Sequence, residues 1–113
     1  MTTRPCAALL ERVGGDQDIF VELCDVFLDD APRRLDSIRI ALESGDAGVL
    51  RREAHAFRGE AAAFDAADVV TVAREIEQLA AAGDVQQAHP LWPLLEGHSR
   101  RLIDAVRAGR GRH

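Results

Sequence analysis

Leu50-Arg51-Arg52-Glu53-Ala54-His55-Ala56-Phe57-Arg58-Gly59-Glu60-Ala61-Ala62-Ala63-Phe64 is the stretch on which the reading of this chain turns. Leu50, Ala54, Phe57, Ala61 and Phe64 recur at steps of three and four, the spacing of one face of an α-helix. At about 100° per residue, with Leu50 at the centre of the buried face, all of them fall within about 40° of that centre. His55 then lies about 140° away, so its imidazole faces solvent. The residues three and four positions from it share its face: Arg51 and Arg52 before it, Arg58 and Gly59 after it. An anionic group carried by the ring would find guanidinium donors at hand, Arg58 nearest, with Arg51 adding to the field. A glycine inside a helix costs about 0.5–1 kcal/mol relative to alanine, so Gly59 implies a use for cleared space beside the ring. Glu60 lies about 140° from His55 at the flank of the helix seam, where it needs solvent or a partner, Arg74 being one candidate.

The same periodicity runs outward in both directions. From Gln17 to Ser44, Phe20, Leu23, Cys24, Phe27, Leu28, Ala31, Leu35, Ile38 and Leu42 form one apolar stripe. Pro32 interrupts it, but the stripe stays in phase on both sides, which predicts a kink and not an end. Ser44-Gly45 stops this helix, and Asp46 caps the next, which runs from Ala47 to about Phe64. Asp65 marks a boundary. A further helix is expected over Ala67–Ala82, with Val69, Val72, Ala73, Ile76 and Leu79 inward, closed by Gly83-Asp84. A loop with His89-Pro90 and Pro93 leads to a last helix over Leu94–Ala108, with Leu95, Leu102 and Val106 inward. A short helix over Cys6–Val13 precedes all of these, ended by Gly14-Gly15, with Asp16 as the following cap. No segment alternates with period two over the length of a strand. The expected fold is all-α: an antiparallel up-and-down four-helix bundle with a short extra N-terminal helix.

A chain of 113 residues suits one domain, here residues 1–108, with 109–113 as a flexible basic tail. The formal net charge is −5, and every basic residue is arginine. Phosphate-backbone binding needs a clustered basic face, so no nucleic-acid partner is expected. No apolar run reaches the roughly 18 residues that span a bilayer, and the N-terminus lacks the order of a secretory signal. A soluble cytoplasmic protein without membrane partners is therefore expected. Cys24 sits in an apolar stripe and reads as a buried free thiol. His89 belongs to a loop, His98 reads as a half-buried packing residue, and His113 is terminal. No histidine or cysteine pair has metal-ligand spacing, and no glycine-rich phosphate loop follows a strand, so neither a metal nor a cofactor is expected.

The run Ala54-His55-Ala56-Phe57-Arg58-Gly59, with small residues after it, resembles the signature of histidine phosphotransfer (HPt) domains, roughly Ala-His-x-Leu-Lys-Gly-Ser-Ala. The likeness extends to Leu9-Leu10-Glu11-Arg12-Val13-Gly14-Gly15-Asp16, to Ala31-Pro32-Arg33-Arg34-Leu35 and to the stretch from Glu77 to Asp84, and covers about residues 7 to 107. The resemblance implies a four-helix bundle in a multistep phosphorelay, with His55 as phosphoacceptor, Arg58 in place of the usual lysine that steadies the phosphoryl group, and Gly59 as the access glycine. It implies no autonomous kinase activity. The partners it implies are a response-regulator receiver domain, which would supply the aspartate, Mg²⁺ and most of the catalysis, and a hybrid sensor kinase. A monomer is expected, with Arg51, Arg52 and Ala62 on the partner-binding ridge. Two residues depart from the pattern. A planar guanidinium replaces a compact ammonium at Arg58, which is not a neutral exchange at a phosphate site. Glu60 stands where the family has a small residue. Both departures keep a second reading open: an HPt-like module that binds a receiver or kinase and regulates it without carrying phosphate. A plain helical scaffold is the third reading, for which His55 would have no role.

Overall fold

Local capping decides where the chain turns. A computed structural model describes residues 3–111, and no strand occurs among them. Helix α1 spans Arg4–Arg12, with Pro5 in its first turn, where a missing N–H goes unnoticed. Helix α2, Gln17–Ser44, starts at Asp16, whose carboxylate accepts from the Ile19 N–H at 3.1 Å. It continues through Pro32 without ending, as the unbroken phase of the stripe implied, and stops at Gly45, which adopts φ 75°, a left-handed conformation that glycine reaches without a Cβ clash. Asp46 caps α3, Ala47–Ala62, in the same way through the Val49 N–H. Helix α4 spans Ala67–Ala81. The turn before it passes through Asp65 at φ 52°, and Arg12 of α1 pairs with the Asp65 carboxylate.

Two boundaries differ from the sequence reading. The expected loop after Gly83 is itself wound: Asp84 caps a short helix α5, Val85–Ala88, and a 3-10 turn follows over His89–Leu91. Helix α6 then spans Trp92–Arg110, starting before Leu94 because Pro93 is accommodated in its first turn. At the other end α6 runs past Ala108, so Gly109 and Arg110 are not part of a loose tail. Gly109 is buried beneath α1; a Cβ there would lie 2.7 Å from Thr3 Oγ1 and 2.9 Å from Cys6 Cβ. Arg110 forks the Asp25 carboxylate of α2 at 2.7 and 3.0 Å. Gly111 caps α6, and residues 112–113 of the expected tail lie outside the described residues.

Helix α2 packs on α3 and α6, and α4 packs on the same two, which closes a ring of four long helices around the core. The α3–α4 pair is the most extensive contact, and α1 lies across α6 and α2. The molecule measures 42 × 20 × 19 Å. Leu50, Ala54, Phe57, Ala61 and Phe64 of the opening stretch are all buried, facing Phe20, Phe27, Ile38, Ile76 and Leu95. The Phe27 and Phe64 rings meet at 4.8 Å with a 56° tilt, a favourable aromatic geometry. Leu23, expected on the buried stripe of α2, is instead 41 % exposed. It sits about 60° off the stripe's centre, at the edge where α2 turns from the core toward solvent. Leu79, likewise at the edge of its stripe, is half-buried. Sequence reading missed Ser99, whose hydroxyl is fully buried in α6 without a hydrogen-bond partner among the described residues. Cys6 and Cys24 are free and buried; burial and the neighbouring Cys6 push the Cys24 thiol up to about 12. No helix among the described residues is long and apolar enough to cross a membrane.

Candidate functional site

The outward face of α3 carries the histidine. The His55 side chain is 64 % exposed, on the side opposite Leu50 and Phe57. Its Nδ1 lies 2.7 Å from Oε2 of Glu77, which reaches over from α4. The other oxygen of that carboxylate, Oε1, accepts from Nε of Arg58 at 2.9 Å. Arg58 Nη2 is also 3.1 Å from His55 Nδ1. Glu77 thus spans the imidazole and the guanidinium and contacts both.

These distances assign the ring's tautomer. Nδ1 can donate to Glu77 or accept from Arg58, but not both at once. The shorter bond, to an ionised carboxylate, is the stronger. Nδ1 therefore carries the proton and donates it to Glu77, and the lone pair of Nε2 points outward. Burial alone would raise the Glu77 carboxyl. The hydrogen bond from His55 and the guanidinium charge of Arg58 outweigh it and hold the group below the usual carboxylate range.

Arg51 and Arg52 are exposed and line a shallow hollow with Gly48, His55 and Glu77. A second hollow on the α4 side is lined by Arg51, Arg58, Arg74 and Glu77. Among the described residues, no carboxylate pairs with Arg51, Arg52 or Arg74. The ridge is therefore locally cationic on a chain of net charge −5. Gly59 is exposed one turn after His55, and a Cβ there would meet nothing within 4 Å. Packing within the chain does not require this glycine; the space it leaves faces outward. Ala62, two turns on from His55, is exposed on the same face.

Arg74, one candidate partner of Glu60 in the sequence, does not pair with it. Glu60 receives Arg34 Nε of α2 at 2.5 Å. The reason is azimuthal: Glu60 leaves α3 on the flank covered by α2, whereas α4, with Arg74 and Glu77, covers the opposite flank. Glu77 is the functional residue that sequence reasoning missed as a side chain. Its position next to core-facing Ile76 puts it at the edge of the buried stripe of α4, the only hint the sequence carries. His98 is half-buried, as expected, with Arg101 Nη2 2.5 Å and Asp68 Oδ2 3.9 Å from its Nδ1. His89 is exposed beside Arg39 and Trp92. No group of three or more His, Cys, Asp or Glu side chains among the described residues is arranged to hold a metal ion.

A ring of helices presenting an imidazole with one nitrogen tied to a carboxylate, the other free, and guanidinium groups on either side is built as a phosphoryl carrier. The model of the Hpt domain family matches residues 22–109, and the chain belongs to that family. Its fold is similar to the crystal structure of histidine-containing phosphotransfer protein B (HptB) from Pseudomonas aeruginosa PAO1. That chain is 31 % identical, with a TM-score of 0.84 over 97 % of this chain and 93 % of that one. No curated protein sequence matches the chain. As a member of the family, the protein functions in a phosphorelay as a histidine phosphotransfer domain, a phosphoryl carrier and not an enzyme. The family's partners are response-regulator receiver domains and kinases.

Proposed function

We propose that His55 is the phosphoacceptor and that a phosphoryl group passes between its Nε2 and the aspartate of a receiver domain. The observation that carries this reading is the Nδ1–Glu77 contact, which leaves Nε2 unprotonated and facing solvent. In the forward step the Nε2 lone pair forms the N–P bond as the aspartyl O–P bond breaks, and the aspartate leaves as a carboxylate. The ring becomes positively charged while Nδ1 keeps its proton, so Glu77 offsets charge that develops only as the reaction proceeds. Arg58, with Arg51 behind it, faces the equatorial oxygens of the group in transfer. The receiver supplies the aspartate, Mg²⁺ and most of the electrostatic stabilisation. Gly59 and Ala62 leave room for its approach, and Arg51 and Arg52 meet its acidic rim.

The fold in which this occurs is an antiparallel up-and-down four-helix bundle with α1 across one end, acting as a cytoplasmic monomer that is one domain. The test is incubation with phosphorylated receiver domains and Mg²⁺. Acid-labile, base-stable label is expected on the wild-type chain and not on His55→Gln; equal label on both removes the assignment. Tight receiver binding without any label would assign the chain to regulation by docking alone, the reading that the Arg58 and Glu60 departures keep open.

A further inference from the structure

Two thiols meet where α1 crosses the bundle. Cys6 of α1 and Cys24 of α2 are each fully buried and free. The two thiols are hydrogen-bonded to each other. Cys6 Sγ in turn donates to the carbonyl oxygen of Val106 on α6 at 3.7 Å, with that of Ala105 at 3.9 Å. Three helices therefore converge on the pair. Gly109 of α6 lets α1 come this close, since a Cβ there would lie 2.9 Å from Cys6 Cβ. The pair belongs to no metal-ligand group among the described residues, so the chemistry two adjoining thiols offer is their joint oxidation.

In the closed fold the pair is inert. Burial, with Cys6 beside it, pushes the Cys24 thiol up to about 12, so almost no thiolate forms near neutral pH. An oxidant reaches the sulfurs when α1 lifts, and α1 is lightly held. Of its nine residues only Cys6 and Leu9 are buried. A helix that short is marginal without its packing. Thr3 at its N-terminus makes no side-chain cap bond, and the Thr3 hydroxyl oxygen is buried without a partner among the described residues. The Arg12–Asp65 pair is more than half exposed and adds little. Behind α1 the chain turns through Gly14 and Gly15, at φ 67° and 80°, a pair of residues that gives the helix a hinge.

We propose that Cys6 and Cys24 form a reversible intramolecular disulfide in the presence of hydrogen peroxide, and that this bond staples α1 to α2. When α1 lifts, the sulfur of one thiol takes an oxygen from the peroxide as the O–O bond breaks, giving a sulfenic acid and one water. As α1 docks again, the second sulfur attacks the first. The S–S bond forms, the S–O bond breaks, and the hydroxyl leaves with the second thiol's proton as another water. The two thiols lose two electrons and the peroxide gains them. Exchange with a small thiol reverses the bond, so in a reducing compartment it lasts only as long as the oxidant. The closed loop, from residue 6 to residue 24, restricts the unfolded chain and should raise the melting temperature by about 10 °C. The staple lies away from the phosphoacceptor: His55 is roughly 13 Å along α3 from Phe64, which meets Phe27 one turn beyond Cys24. It does not depend on the reading of His55.

The test treats the full chain with hydrogen peroxide, blocks the remaining thiols with N-ethylmaleimide in denaturant, and maps a tryptic digest by mass spectrometry without reductant. The expected product is a monomer lighter by two hydrogens, in which the peptides carrying Cys6 and Cys24 are joined. Its melting temperature should rise by about 10 °C and return to that of the untreated chain with dithiothreitol. Cys6→Ala and Cys24→Ala should each show neither the joined peptides nor the rise, and the map of the wild type decides the matter even where a variant does not fold. Two maleimide groups on the treated wild type, over-oxidised cysteines without a cross-link, a bond between two molecules, or a Cys6–Cys24 bond that leaves the melt unchanged would overturn the proposal.

Discussion

Replacing Glu77 by glutamine tests the link between the site's geometry and its chemistry. The two side chains have the same shape, so α4 keeps its packing against α3. The amide oxygen can still accept from His55 Nδ1, but the amide nitrogen then faces Arg58 Nε, donor against donor, where the carboxylate now accepts at 2.9 Å. Turning the amide over satisfies Arg58 and sets a donor against Nδ1, which selects the tautomer with Nε2 protonated. Either way the negative charge opposite the ring is gone. A hydrogen bond to a charged group contributes about 1.5–3 kcal/mol. With the imidazole more than half in water the lower end applies, and about 1.5 kcal/mol on the barrier is roughly a tenfold slower transfer. Rapid-quench measurement of transfer from a phosphorylated receiver reads the rate, and ¹⁵N spectra of the ring read the tautomer. The expected result is a tenfold loss in rate, a shift toward Nε2–H, and an unchanged thermal melt. Transfer at the wild-type rate with the tautomer unchanged would show that Glu77 neither orients the ring nor offsets its charge. The pH dependence follows in sign. The Glu77 carboxyl sits below its ordinary value in the folded chain, so its contribution to stability is complete above the ordinary carboxylate range. That contribution is lost as the pH falls through the depressed value, and the acid limb of the wild-type stability profile should flatten in Glu77→Gln.

Gly59→Ala should raise stability by about 0.5–1 kcal/mol in urea denaturation, since its Cβ meets nothing, yet slow transfer because the added methyl faces the partner. Faster or unchanged transfer would show that the cleared space is not used. Arg58→Ala should slow transfer without unfolding the domain, and Arg58→Lys should restore much of the rate; a wild-type rate in the alanine variant would hand the role to Arg51 or to the receiver. Ser99→Ala should stabilise the fold by about 1 kcal/mol in the same urea assay, because it removes a buried hydroxyl that has no partner; destabilisation of that size would mean that the hydroxyl is bonded after all.

Most of the architecture was legible because its signals are local. Asp16, Asp46 and Gly45 stop or start helices through bonds to residues within one turn, so sequence neighbours suffice to identify them. The segment from Asp84 to Trp92 reads as a loop in the sequence because Pro90 looks like a breaker, whereas it sits in the first turn of a 3-10 helix, which tolerates a missing N–H; Pro93 takes the first-turn position expected of it. The end of α6 was misjudged for the opposite reason. Gly109-Arg110 looks like a tail, and only the tight approach of α1 and the carboxylate of Asp25, 85 residues away, keep it wound.

The sequence by itself determined that α3 would turn His55 outward among Arg51, Arg52, Arg58 and Gly59, because residues on one helix are related by a constant rotation per residue. Only the tertiary structure decided that Glu77 would bind the ring and that Glu60 would go to Arg34 and not to Arg74. A helical wheel states the direction in which a side chain leaves its own helix. Which helix waits in that direction, and at what height, is set by how all the helices pack around the shared core.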